Sequence, residues 1–242
     1  MAPDDESLGW LTRKLEALVP LGDEDRAAIG ALPTTIRSVP AAHVLVREGR
    51  ETSECCVLVE GYACRHKLAA GGGRQIVSFQ IRGDILDLQH LLLPVADHNV
   101  QTITEATVAW IPKSALMAVA RRRTAVAEAL WKDSLIDASI FREWVLNVGR
   151  RDAKARIAHM LCEFVARCEA AGLGSPDRFE LPMTQEQIAD ATGLTAVHVN
   201  RMLRALVDEG VVARGRRELR ITDWPRLRSI AGFNSTYLHA AA

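Results

Sequence analysis

The apolar positions of this 242-residue chain change their period along its length. Leu8, Leu11, Leu15 and Leu18 recur at helical spacing, which predicts one or two short helices over residues 8 to 32. From Thr35 to Ile111 short apolar runs alternate with turn signals, at the interval of a small all-β unit. The clearest runs are TIRSV, HVLVREG, CCVLVEGYACRHKL, RQIVSFQIRGD and VQTITEATVAWI. Gly71–Gly73 lies between two of them. It reads as a hairpin turn, since neither a Lys-Ser/Thr pair nor a helix follows to make a phosphate loop.

After Pro112 the helical period returns, predicting a short helix over 113 to 121 and a long one over 124 to 149. The long helix carries Val126, Leu130, Leu135, Ile136, Ile140, Phe141, Trp144, Val145 and Val148 on more than one stripe. One stripe can cover the β unit and another can pair with a second copy, although Ser134, Asp137 and Arg142 interrupt the heptad. A hinge is expected between residues 147 and 152, around Gly149, before a further helix over 152 to 171.

The stretch from 184 to 206, TQEQIADATGLTAVHVNRMLRAL, carries the most chemistry. Thr184 and Gln187 have capping-box spacing. Ile188 and Ala189 face inward, and the small Ala189 lets a second helix cross closely. Gly193 suits the left-handed conformation that ends one helix and turns the chain. Thr195 can cap a second helix whose Val199, Met202, Leu203 and Leu206 share one face. The other face presents Ala196, Val197, His198, Asn200, Arg201 and Arg204. Small and polar residues at a helix start, then arginines, suit entry into the major groove of double-stranded DNA. A helical hairpin used only for packing is the alternative.

Residues 207 to 223 alternate like a hairpin, with Val211 and Val212 on one strand, Leu219 and Ile221 on the other, and Arg214–Gly215 at the turn. Arg214, Arg216, Arg217 and Arg220 make this wing basic, suited to phosphates or to solvent. RFELPM (178 to 183) reads as one more strand. The candidate DNA-contacting set is therefore Thr184, Gln185, Thr195, Ala196, Val197, His198, Asn200, Arg201, Arg204, Arg214 and Arg216.

Formal net charge is zero, so affinity for DNA must come from a local basic surface. Between Thr195 and Arg228 eight arginines face four acids, Asp208, Glu209, Glu218 and Asp223. Hydrophobic residues make up 48% of the chain, enough for sizeable cores. No membrane span is expected, and the acidic start MAPDDESLGW lacks a signal-peptide core, which points to the cytoplasm. The five cysteines, Cys55, Cys56, Cys64, Cys162 and Cys168, are then expected as free thiols. Cys55 and Cys56 are adjacent on a strand, so they point to opposite faces and at most one is expected to reach a core. No zinc-type spacing is visible and no metal site is expected. No catalytic constellation is visible either, so the chain is not expected to be an enzyme.

Glu48–Gly49, the VLVEG run with Gly61, the pair Gly83–Asp84, and above all GLTAVHVNRML (193 to 203) together resemble the Crp/Fnr family of bacterial transcription regulators, over about residues 18 to 223. The resemblance implies an α+β chain. Its parts would be a double-stranded β-helix (β-roll or jelly-roll) sensor domain over 18–120, a long dimerisation helix over 121–150 and a winged helix-turn-helix over 151–242. It further implies a homodimer through the 124–149 helix, an inverted-repeat operator and contact with RNA polymerase.

Departures from the family pattern bear on the effector. The Gly-Glu-Leu segment of cyclic-AMP-binding members is matched here by Asp87–Leu88–Gln89, and their Arg-Ser-Ala cradle by ADHNV over 96 to 100. A cyclic phosphate would meet no arginine there and would face Asp87 or Asp97, so cyclic AMP is not expected as a ligand. The candidate effector pocket comprises Asp84, Asp87, Leu88, Gln89 and His98. An iron–sulfur cluster is not supported, because no cysteine precedes Cys55. Haem is not supported either; its axial ligands are not located by sequence, and His66, His90 and His98 are candidates only in the weakest sense. No cofactor is predicted. The alternative function is a redox-, haem- or small-ligand-sensing module whose DNA binding follows that signal. At the recognition helix the family's Arg-Glu pair is replaced by Ala196–Val197, so a glutamate reading cytosine is missing. Arg201 matches the family arginine that contacts guanine or phosphate.

Overall fold

The computed structural model describes residues 8–175, 179–215 and 218–239. The chain divides into two compact units, one built from the residues through Lys67 and Phe79–Ala138, the other from Leu68–Ser78 and Ser139–His239.

The first unit opens with helices α1 (Gly9–Leu18) and α2 (Asp23–Gly30), which bury Leu11, Leu15 and Ile29. The strands β1 (Thr35–Val39), β2 (Val44–Val46), β3 (Glu54–Glu60), β4 (Ala63–Leu68), β5 (Arg74–Gln80), β6 (Asn99–Thr102) and β7 (Ala106–Pro112) form two sheets, ordered β1-β7-β3 and β2-β6-β4-β5. Two sequence runs each split into a pair of strands. CCVLVEGYACRHKL breaks at Gly61, whose φ is +86° and where an added Cβ would collide with the Glu105 carbonyl. VQTITEATVAWI breaks between β6 and β7. The glycine triplet closes the β4–β5 hairpin, where Ala69 N–H donates to the Gly73 carbonyl at 2.8 Å.

Two apolar cores flank the β1-β7-β3 sheet. One lies between the sheets and gathers Val46, Cys56, Leu58, Leu86, Val100 and Val108. The other joins the opposite face to the helices through Leu11, Leu15, Ile29, Cys55, Val57 and Ile111, with Leu116, Val126 and Leu130. Cys55 and Cys56 do point to opposite faces, but the expectation that at most one reaches a core fails. Helices cover the outer face of the sheet, so each thiol enters a different core. Burial raises both thiol pKa values, reinforced by the Asp87 carboxylate.

Helices α3 (Lys113–Arg122) and α4 (Thr124–Arg150) follow. Helix α4 runs unbroken through Gly149, and the break before the next helix falls at residues 151 and 152, within the range given for a hinge but not at Gly149. There Asp152 accepts from Ala155 N–H at 2.9 Å and caps α5 (Ala153–Ala170).

The second unit continues with β8 (Phe179–Glu180), α6 (Gln185–Thr192), α7 (Ala196–Asp208), β9 (Val212–Arg214), β10 (Glu218–Ile221) and α8 (Trp224–Ala231). Strands β8, β10 and β9 form one antiparallel sheet in that order. Helix α8 was not anticipated, although Asp223 at its N-cap and Pro225 inside its first turn are start signals. Helix α5 is the hub of this unit, burying Ile157, Leu161, Phe164 and Val165. Its Glu163 carboxylate accepts from Trp144 Nε1 at 2.8 Å and from the Tyr237 hydroxyl at 2.7 Å. No helix among the described residues is long and apolar enough to cross a membrane.

Candidate DNA interface and sensor residues

Helices α6 and α7 are set by local chemistry the sequence states openly. Thr184 N–H donates to Gln187 Oε1 at 2.8 Å, and Gln187 N–H donates back to Thr184 Oγ1 at 3.2 Å. Gly193 takes φ +66° and ends α6. Thr195 Oγ1 accepts from His198 N–H at 3.2 Å and starts α7. The Arg156 guanidinium on α5 donates to the Thr192 carbonyl at 2.7 Å, satisfying an end-of-helix acceptor. Val199, Leu203 and Leu206 then bury one face of α7, as do Ile188 and Ala189 of α6.

The opposite face of α7 is open. Val197 is 82% exposed. Arg201 and Arg204 are exposed and form no ion pair with any described residue, while Ala196, His198 and Asn200 are half-buried. Asn200 Nδ2 donates to Gln185 Oε1 at 3.2 Å, so these two candidate contacts are engaged with each other across the turn. Thr184 and Thr195 likewise use their hydroxyls as caps. Glu209, the acid at the end of α7, is neutralised by Lys154 at 2.6 Å and flanked by Arg226 at 3.9 Å. In the wing Val212, Leu219 and Ile221 are buried and Arg220 is exposed. Arg216 and Arg217 lie outside the described residues, as does the side chain of Arg214.

The five residues proposed as an effector pocket divide differently. Asp84 is a brace, with Oδ1 2.7 Å from Lys14 Nζ and Oδ2 accepting from Ile81 N–H at 2.9 Å. Lys14 also reaches Asp133 at 3.0 Å. Asp87 is fully buried and accepts from Cys56 N–H at 2.8 Å. Leu88 belongs to the core beneath the helices. Only Gln89 and His98 meet, with the amide nitrogen 3.1 Å from His98 Nε2. A buried arginine absent from the sequence reading, Arg65, donates to the Leu86 and Ile85 carbonyls and to Asp137 at 2.5 Å. Burial and this guanidinium hold the His98 imidazole below its ordinary pKa, against the pull of Asp97.

The structure also gathers a group that no spacing rule suggested. His90, Asp97 and His98 bring one ligand-type atom each to within 4.8 Å of one another. The expectation of no metal site rests on the lack of zinc-type spacing, and His90 and His98 sit eight positions apart. The fold closes that loop through backbone bonds from Gly49 N–H to the Ala96 carbonyl and from Ala96 N–H to the Arg50 carbonyl.

A β-sheet sensor-type unit followed by a long helix and a winged helix-turn-helix defines a class, the two-unit DNA-binding transcription regulators. Residues 155–230 match the Crp-like helix-turn-helix domain and residues 36–123 the cyclic nucleotide-binding domain. The transcriptional activator protein FnrL of Cereibacter sphaeroides is 28% identical over 82% of this chain and 81% of its own length. The nitrogen fixation regulation protein FixK of Rhizobium meliloti is 26% identical over 82% of this chain and 88% of its own. The structure of FixK2 from Bradyrhizobium japonicum superposes with a TM-score of 0.77 at 26% identity, covering 84% of this chain and all of that one. The chain belongs to the Crp/Fnr family. It is a DNA-binding transcription regulator, and since the family consists of regulators it is not an enzyme.

Proposed function

We propose that the protein works as a homodimer on an inverted-repeat operator, reading bases with the N-terminal half of α7 and phosphates with Arg204 and the wing arginines. The domain division proposed is a sensor over 18–120, a dimer helix over 121–150 and a DNA-binding domain over 151–242. The observation that carries the DNA reading is the open face of α7. Its core side is filled, while Val197, Arg201 and Arg204 are exposed, the two arginines without an ion pair to any described residue. Arg201 is assigned to guanine and Val197 to a thymine methyl. Thr184, Gln185 and Thr195 are assigned to positioning the two helices at the backbone.

Dimerisation is supported by a second open face. Trp131, Leu135, Ala138, Arg142, Val145 and Gly149 are exposed on α4 at alternating steps of four and three, the spacing of a coiled-coil seam. Only Arg142 interrupts it; Ser134 and Asp137 fall beside the seam. We assign the sensor a signal other than cyclic AMP, or none, because the buried Arg65 is already held by Asp137 and two carbonyls and so is not offered to a phosphate. The family reading adds contact with RNA polymerase and residence in the cytoplasm.

Selection of bound duplexes from a random pool tests this reading. A two-fold symmetric consensus with half-site centres about one helical turn apart is expected. Affinity should fall steeply with salt, as counterion release requires. An enriched pool with no symmetric motif would overturn it.

A further inference from the structure

The loop closed by the Gly49 and Ala96 backbone bonds builds a small donor set whose chemistry is that of a metal centre. His90 is 2% exposed and neither of its ring nitrogens has a hydrogen-bond partner. A buried imidazole left in that state costs free energy, so native proteins seldom keep one without a reason. The ring stacks against His98, with centroids 5.5 Å apart. His98 is 7% exposed and Asp97 Oδ1 lies 2.7 Å from its Nδ1. Behind His90 the second oxygen of the fully buried Asp87 is also unpartnered, 3.8 Å from His90 Nδ1.

We propose that His90, His98 and Asp97 bind a divalent transition-metal cation of the iron-to-zinc series. Two imidazoles and one carboxylate are the donors such borderline ions select, whereas magnesium and calcium prefer all-oxygen sets. Asp87 plays the part of the supporting carboxylate. One nitrogen of His90 can donate to it while the other takes the metal, the arrangement that fixes a ligating histidine's tautomer. The Asp97 side chain is largely exposed, which leaves an entry path and room for solvent to complete the coordination. Three ligands with an open position describe an exchangeable site rather than a closed structural one. Two cations near the loop are already paired: Arg65 with Asp137, and Lys67 with Glu48 at 2.6 Å. Ligand atoms must close from within 4.8 Å to about 3.3 Å around a zinc-sized ion, a distance set by metal–nitrogen bonds near 2 Å.

The inference deepens the sensor reading by naming what enters that unit, but metal binding is measured directly. A failed metal experiment would therefore leave the DNA reading intact, and the reverse holds too. Full-length protein stripped with chelator is titrated with cobalt(II) and followed by its visible d–d absorption. Saturation at one equivalent per chain is expected, with displacement by zinc and none by excess magnesium. Asp97→Asn changes a largely exposed side chain and should fold normally by circular dichroism, yet weaken cobalt binding by at least about tenfold; His98→Asn should do the same. His43→Ala, outside the cluster, should bind as wild type. Absence of saturable cobalt binding, or binding unchanged in both Asp97→Asn and His98→Asn, would overturn the site.

Discussion

Arg201 and His159 show how differently single side chains serve this protein. Arg201 is exposed on α7 and forms no ion pair with any described residue. Its replacement by alanine should leave folding untouched and weaken binding to the selected operator by about 1–3 kcal/mol, measured by fluorescence anisotropy. Binding equal to wild type would remove it from the reading set. His159 is the opposite case, 1% exposed within the second unit between the rings of Phe233 and Tyr237. Glu143 Oε1 lies 3.2 Å from its Nε2 but off the line of a hydrogen bond, so it rescues little of the charge. Burial, with Arg151 nearby, lowers the imidazole pKa to about 3. The native state therefore refuses a proton that the unfolded chain accepts below about pH 6.5. Its contribution to stability is complete above that pH and is lost as pH falls toward 3, at up to about 1.4 kcal/mol per pH unit. Glu163 works in the other direction, since burial raises its pKa. Urea unfolding of His159→Phe against wild type isolates the histidine: the difference should shift in favour of the variant as pH drops from 6.5. Parallel pH profiles would contradict this.

At the level of elements, turns and caps carry the specificity. Gly49 and Gly61 both hold positive φ, at +78° and +86°. An added Cβ at Gly49 meets nothing within 4 Å, whereas at Gly61 it runs into the Glu105 and Ala106 backbone. Gly49→Ala should cost about 1 kcal/mol from backbone strain alone, and Gly61→Ala at least about 2 kcal/mol more, read as the shift in urea midpoint at constant slope. Equal effects would show that the β3–β4 turn relaxes freely. Helix α6 was readable in detail because a capping box, a buried Ile-Ala pair and a left-handed glycine all lie within ten residues. Helix α8 was not, because its eight residues carry a short apolar stripe that only packing on α5 makes decisive.

For the whole molecule, the exposed apolar face of α4 is the feature that a lone chain does not explain. Trp131 is 70% exposed and Val145 57%. Leaving both in water is unfavourable by roughly 1.5–3 kcal/mol per large side chain relative to burial. Trp131→Glu combined with Val145→Glu should give a monomer by light scattering, with each unit still folded. Operator binding should weaken by at least about a hundredfold as the paired half-sites are lost. A double variant that stays dimeric would move the interface elsewhere.

The order of elements other than α8, the helix-turn-helix with its caps, and the family were legible in the sequence. Each rests on contacts between residues a few positions apart, where spacing alone decides which face is apolar. Tertiary structure decided the rest. Helices over the outer face of the β1-β7-β3 sheet turned the neighbours Cys55 and Cys56 into members of two cores. The fold made a brace of Asp84 and a buried support of Asp87, and it brought His90 to Asp97 and His98. Such groupings depend on loop closure and on which faces are covered. Both are set by packing between segments distant in the chain, and no local periodicity records them.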